Sequence, residues 1–174
     1  MTTAAEVMVR MGELAVSRTP GDVLVSIGLG SCIGLCLIDR RRHAVGLAHV
    51  MLPTGGPGDT PGKFAPSAVP ALVEELQGLG AVKSSLEAVL VGGAQMFSFG
   101  NAGAGKLDVG ARNNEATREA LDAARIPVIA DATGGSTGRT VRLLVDEPCV
   151  IVKEAGAGER ELFRATSVGS RIGR

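Results

Sequence analysis

Short apolar runs punctuated by glycine dominate this sequence, and that pattern limits the possible folds more than any other feature. Glycine makes up 25 of 174 residues, about twice the usual share of roughly 7%. The apolar fraction is an ordinary 45%, so the glycines read as tight turns in a packed protein and not as a disordered tract. No apolar stretch approaches the roughly 20 residues that a membrane-spanning helix needs. The length predicts one domain over 1–174, with its core at about 6–153, and enough chain to bury that core without staples. The ends, 1–5 and 165–174, are small or polar without a periodic apolar face, and are expected to be loose.

The runs resolve into elements. Val23–Ile27 is β-branched and predicts a strand. Ile33–Ile38 and Ala44–Leu52 flank the charged turn Asp39-Arg40-Arg41-Arg42-His43 and predict a hairpin, although neither arm alternates cleanly. Ser67–Leu79 repeats apolar residues at Val69, Leu72, Val73, Leu76 and Leu79, which is helical spacing. Leu86–Val91 predicts a buried strand ending at Gly92-Gly93. Asn113–Arg125 predicts a second helix, with Ala116, Ala120, Leu121 and Ala124 inward and Glu115, Arg118, Glu119 and Asp122 outward, stopped by Pro127. Val128–Ala130, Thr140–Asp146, Val150–Lys153 and Glu161–Phe163 complete the strands. Many strands, few helices and no regular strand–helix alternation predict an α+β fold of layered mixed sheets flanked by helices, in preference to a doubly wound sheet.

Charge narrows the function. Lys plus Arg is 18 and Asp plus Glu is 18, so the net charge is zero. That balance opposes nucleic-acid binding by phosphate neutralisation and attachment to an anionic membrane. With no Trp or Tyr and four Phe, a base-stacking platform is not expected. Three cysteines make an odd count, which suits a reducing compartment better than a disulfide framework. The N-terminus lacks the basic-then-apolar pattern of a signal peptide, so a cytoplasmic location is expected.

Few residues can carry chemistry near neutral pH. Of the two histidines, His43 ends an arginine run in a turn and reads as a solvated surface residue. His49 lies within an apolar strand and is either a satisfied core residue or directed into a site; the pattern alone favours the first. Cys32 follows Gly28-Leu29-Gly30-Ser31 directly after a strand. Glycines there let backbone amides approach a reacting group, so the backbone of Gly30, Ser31 and Cys32 is a candidate oxyanion hole beside a cysteine nucleophile. Cys36 and Cys149 read as small buried apolar residues. A reactive cysteine needs a base, and His49 on the next hairpin arm can meet Cys32 in space. Ser26, on the strand entering the glycine loop, is a candidate to orient the imidazole.

Two glycine motifs are decoys. The loop at Gly28 lacks the third glycine of a dinucleotide fingerprint, because Gly34 comes one residue late. Gly100 to Lys106 matches half of a phosphate loop, but Leu107 replaces the magnesium-binding hydroxyl, and a surface loop is the simpler reading. Without a Cys-x-x-Cys or paired-histidine motif, no structural zinc site is expected. The glycine- and proline-rich Pro53–Gly62 is expected to be a loop over the site.

Five blocks together resemble the CheD family of chemoreceptor glutamine deamidases. They are Val25 to Cys32 (Val-Ser-Ile-Gly-Leu-Gly-Ser-Cys), His49-Val50-Met51-Leu52-Pro53, Gly92-Gly93-Ala94-Gln95-Met96-Phe97, Val109-Gly110-Ala111-Arg112-Asn113, and Asp131 with Gly134-Gly135 and Gly138-Arg139. The resemblance implies a cysteine hydrolase fold shared with bacterial deamidating toxins. It implies Cys32 as nucleophile, His49 as base and a hydroxyl partner at Ser26, where the family's residue is Thr. Serine keeps the hydroxyl and loses the methyl that fixes its rotamer. A second departure is Lys63 to Ser67, where the family often carries a Tyr and an Asp.

The same resemblance implies that glutamines of methyl-accepting chemotaxis receptors become glutamates, with glutamyl methylesterase activity as a side reaction and no cofactor. It also implies binding of CheC, a phosphatase of the phosphorylated response regulator. The block Asp131 to Arg139 is then the partner-facing segment, with Gly134, Gly135 and Arg139 as candidate contacts. So small and glycine-rich a stretch is expected to be an exposed loop, held by Arg139 through carbonyls or a carboxylate. The competing reading is a non-catalytic adaptor that binds receptor or CheC on the same fold.

Overall fold

The computed structural model describes residues 4–55, 60–96 and 108–165. Its strands are β1 (Glu6–Met8), β2 (Leu14–Ser17), β3 (Val23–Leu29), β4 (Ile33–Asp39), β5 (Ala44–Val50), β6 (Glu87–Gly92), β7 (Val128–Thr133), β8 (Arg139–Leu144), β9 (Cys149–Glu154) and β10 (Glu159–Arg164). Helix α1 (Ala65–Gly78) follows β5, and α2 (Val109–Ala123) precedes β7. Gly100–Lys106, part of the Pro53–Gly62 segment and the tail beyond Ala165 lie outside the described residues.

The predicted hairpin is present. β4 and β5 pair antiparallel in unbroken register from Ile33 opposite Val50 to Asp39 opposite Ala44. Every residue of both strands is buried, which explains why neither alternates: both faces are covered. The central sheet runs β2-β5-β4-β6-β7 and the outer sheet β1-β3-β8-β9-β10. Odd-numbered residues of β4 (Ile33, Leu35, Leu37) pack with Val69, Leu72 and Leu76 of α1 and Leu121 of α2. Even-numbered ones (Cys36, Ile38) pack with Leu24, Val141, Leu143 and Val152 of the outer sheet. The layers are therefore helices, central sheet, outer sheet, an α+β arrangement of two mixed sheets.

Several expectations are corrected. The short strands β1 and β2 were not anticipated; β1 pairs parallel with β3, and β2 borders β5. The start of the chain is tied down from Ala5, whose amide donates to Asp22 Oδ1 at 2.8 Å and whose carbonyl accepts from Val23. α2 begins at Val109, four residues before the predicted start, because the Asp108 carboxylate caps it by accepting from the Ala111 amide at 2.9 Å. Its buried line is Gly110, Asn113, Thr117 and Leu121. The predicted inner alanines 116, 120 and 124 are only partly buried.

The segment Asp131 to Arg139 is not one exposed loop. Thr133 ends β7, Arg139 opens β8, and only the turn between them is free of strand pairing. Arg139 is buried, with Nη1 donating to Gly134 O at 2.8 Å and Gly92 O at 3.3 Å and Nε to Glu154 at 3.2 Å. Small residues were compatible with strand ends because neighbouring strands, not their own side chains, supply the packing. No helix among the described residues is long and apolar enough to cross a membrane.

Candidate active site

Strand register brings the thiol and the imidazole to one face. His49 lies opposite Gly34, and Cys32 sits one step beyond the last β4–β5 pair, diagonal to His49. Side chains alternate across a strand, so Cys32 shares the outer-sheet face of Gly34 and Cys36, where it packs half-buried against the inter-sheet core. His49 shares the face of Val45 and Leu47, the same one. Diagonal neighbours lie about 7–8 Å apart at Cα, within reach of an imidazole. Gly34 presents no side chain between them. A Cβ there would lie 2.9 Å from Leu29 Cδ1 and 3.1 Å from Val141 Cγ1, so sheet packing demands the glycine.

The loop carrying Cys32 is held through its carbonyls. Gly30 O accepts from the Ala94 amide at 2.8 Å and Cys32 O from the Gly93 amide at 2.9 Å. Ser31 O accepts from Asn113 Nδ2 at 2.8 Å. Gly92, at φ +107, passes so close that a Cβ would fall 2.2 Å from Cys32 O. The amides of Gly30, Ser31 and Cys32 make no hydrogen bond to described residues, leaving them free to donate to developing negative charge. A bulge between Ser26 and Leu29, with Gly28 at φ +67, turns β3 into this loop.

His49 is 3% exposed. Its Nδ1 lies 3.2 Å from the Val9 carbonyl oxygen. A carbonyl only accepts, so Nδ1 carries the proton and Nε2 presents its lone pair. Nε2 is buried and has no hydrogen-bond partner among the described residues. Burial holds the imidazole below its ordinary value, opposed by the Val9 bond and the charge of Glu13. Burial likewise raises the Cys32 thiol. Both shifts favour the uncharged forms of the thiol and the imidazole. Cys36, sealed in the same strand, is pushed up to about 12, and Cys149 is buried as well. His43 is exposed in its turn.

Ser26 does not bond the imidazole. Its fully buried hydroxyl donates to Val9 O at 2.8 Å, the same oxygen that receives His49 Nδ1. A main-chain carbonyl stands where a side-chain orienter was expected, and Ser26 reaches the ring through it. Sequence reading missed Val9, because a carbonyl has no residue signature. It also gave no role to Asn113, whose fully buried carboxamide joins Ser31 O and Met51 O. The available signal was an asparagine within the helical segment, where a side chain competing with the backbone needs a reason. Among the described residues, no three His, Cys, Asp or Glu side chains group as metal ligands would.

Two layered sheets thus bring a half-buried thiol and a buried imidazole to one face beside the glycine loop. A family model described as CheD, chemotactic sensory transduction, matches residues 51–154. The chain is 41% identical over 154 residues, 88% of its own length and 94% of the relative's, to the chemoreceptor glutamine deamidase CheD of Thermotoga maritima. It is 39% identical over 160 residues, 90% of this chain and 98% of the relative, to a probable chemoreceptor glutamine deamidase CheD of Clostridium botulinum. The chain belongs to the CheD family.

Proposed function

We propose that this chain is a protein-glutamine deamidase acting on chemotaxis receptors, with Cys32 as nucleophile and His49 as base. The observation that carries the reading is the shared face: a thiol beside a buried imidazole whose Nε2 has no partner among the described residues and whose tautomer is set by the Val9 carbonyl. The substrate class rests on the relatives, which are chemoreceptor glutamine deamidases by name.

The chemistry follows from that arrangement. His49 Nε2 takes the Cys32 proton as sulfur attacks the side-chain carbonyl carbon of glutamine. Burial disfavours a preformed ion pair, so proton transfer accompanies attack. The oxyanion receives the amides of Gly30 to Cys32. The imidazolium returns its proton to nitrogen, the C–N bond breaks, and ammonia leaves a thioester. Water, deprotonated by His49, attacks the thioester, and glutamate departs as the thiol is restored. A glutamyl methyl ester offers the same carbonyl, so methylesterase activity accompanies deamidation. Ser26 contributes by holding the Val9 carbonyl against the ring.

We also assign the turn after β7 as the CheC-facing surface. Gly135 and Ser136 are exposed there, and the Gly135 carbonyl accepts from Gln95 at 2.9 Å. Gly135 sits at φ +69, so Ser136→Trp is the cleaner probe; it should weaken CheC capture while leaving Cys32 alkylation unchanged. Unaltered capture would remove the assignment.

The central test is mass spectrometry of a receptor domain co-expressed with this protein. A shift of about one dalton per Gln→Glu change is expected, absent with Cys32→Ala. Substantial turnover by Cys32→Ala would overturn the mechanism. No shift with a folded wild-type protein, together with receptor capture, would favour the adaptor.

A further inference from the structure

The β4–β5 ladder stops one step short of the nucleophile. Beyond Ile33 and Val50, Met51 leaves the pairing: its amide donates to Lys63 O at 2.9 Å. Ser31 on the other side belongs to the glycine loop. Two carbonyls, Ser31 O and Met51 O, are thus left at the open end of the strand pair, adjoining Cys32 on one side and two residues past His49 on the other. Asn113 Nδ2 donates to both, at 2.8 Å and 2.9 Å. A single primary amide with two protons takes the place of the missing rung.

Helix α2 is built to deliver that amide. Gly110 lies so close to the Gly93–Ala94 segment that a Cβ would fall 2.4 Å from Ala94 O and 2.6 Å from Gly93 O. The first turn of the helix therefore rests against the segment that also holds Gly30 O and Cys32 O. One turn on, Asn113 is fully buried, and Thr117 Oγ1 donates to its carbonyl at 2.7 Å. With both amide protons committed, Asn113 Oδ1 has no partner among the described residues. Such an unpaired buried acceptor lowers stability, a poor choice for packing alone.

We propose that Asn113 is a positioning residue for the reaction: its carboxamide closes the open end of the β4–β5 ladder and sets the separation of Cys32 from His49. This rests on the reading of those two residues as nucleophile and base. A leucine at this helix position would bury more apolar surface but would leave both carbonyls unpaired and the two strand ends free to part beside the thiol.

The test is a double-mutant cycle read by the pH profile of Cys32 alkylation with iodoacetamide, alongside receptor deamidation. In the wild-type protein, His49→Ala should shift the alkylation profile. In a folded Asn113→Ala protein, adding His49→Ala should shift nothing, and deamidation should fall about 10²-fold in kcat with KM little changed, the loss expected for a misplacement of about 1 Å. Asn113→Gln, which keeps both amide protons, should recover part of the rate. Thr117→Val, which leaves the carboxamide in place, should lower stability without uncoupling the pair. If Asn113→Ala folds and keeps either the full rate or the His49-dependent shift, the positioning role is overturned while the Cys32–His49 reading stands. If the wild-type profile ignores His49→Ala, the underlying reading falls and takes this one with it. Failure of both Asn113 variants to fold would assign the residue to folding alone and overturn the proposal.

Discussion

The two ends of the β4–β5 hairpin use the same strands for opposite purposes. At the turn end, buried polar groups are satisfied. Asp39 is fully buried and accepts from the Val82 amide at 3.0 Å, from the Arg42 amide at 3.3 Å and from Arg42 Nη1 at 3.2 Å. Arg40 grips Glu87 through two bonds, at 2.7 and 2.8 Å. At the other end lie the two buried side-chain atoms that have no partner among the described residues, His49 Nε2 and Asn113 Oδ1. Unpaired buried groups lower stability. Their confinement to one end of one hairpin separates where this fold is stabilised from where the proposed nucleophile and base lie.

The largest break in that comparison is at the reactive end. Cys32→Ala should reduce deamidation to background, and His49→Ala should lower it by about 10²–10⁴-fold. The double variant should lose little more than Cys32→Ala alone, because members of one catalytic unit are non-additive. Urea midpoints should stay close to wild type for half-buried Cys32→Ala and fall modestly for His49→Ala, which empties a buried site and removes one bond to the Val9 carbonyl. At the turn end the effects should invert. Asp39→Ala removes a fully buried carboxylate and leaves the Val82 and Arg42 amides without their acceptor; it should cost about 1–3 kcal/mol of stability with turnover per folded molecule unchanged. Loss of turnover without loss of stability there would erase the distinction.

Titration sharpens it further. His49 in the folded protein binds its proton less readily than at its ordinary value of 6.5. Below that pH the unfolded chain takes up a proton that the folded one refuses, so stability should fall as pH drops from 6.5 through the depressed folded value. Cys36 moves the other way, from 9.0 to about 12. Between those values the unfolded chain releases a proton that the folded one keeps, so stability should fall as pH rises through that window. Urea midpoints at about pH 5, about pH 7 and about pH 10 should therefore peak in the middle. His49→Gln should flatten the acid side and Cys36→Ala the alkaline side. The smallest effect is expected at Ser26, which acts through a carbonyl. Ser26→Ala should lower kcat by about tenfold or less, the loss of one neutral hydrogen bond of about 1 kcal/mol, and Ser26→Thr should retain most of the rate. A wild-type rate for Ser26→Ala would leave the Val9 carbonyl held by the backbone alone.

Much of this was readable in the residues because it depends on neighbours in the chain. Periodicity marked α1, since Val69, Leu72 and Leu76 recur at the spacing that faces a sheet. The charged turn between two apolar arms marked the hairpin, and the hairpin by itself brings Cys32 near His49. The glycine loop before Cys32 followed from the conformations that only glycine adopts freely. The second helix was read from its alanines and leucine, yet its buried line includes Asn113 and Thr117. Hydropathy cannot identify a face whose purpose is to bond main-chain carbonyls.

What only the tertiary structure decided comes from segments distant in sequence. Val9 lies 17 residues from Ser26 and 40 from His49, yet its carbonyl binds both, and no side chain announces it. β1 and β2 are three and four residues long, too short for periodicity, and exist because β3 and β5 offer them edges. Arg139 opens a strand as a buried cation because the carbonyls of Gly92 and Gly134 and the Glu154 carboxylate converge on it. The sequence by itself determined helix α1, the longer strands and the hairpin that carries Cys32 and His49, because local conformation and burial are written in residue type. The tautomer of His49, the pairing of Ser26 and the clamp at Asn113 were decided only when the layers packed, because a hydrogen bond to a carbonyl depends on where the main chain passes and not on which residue passes there.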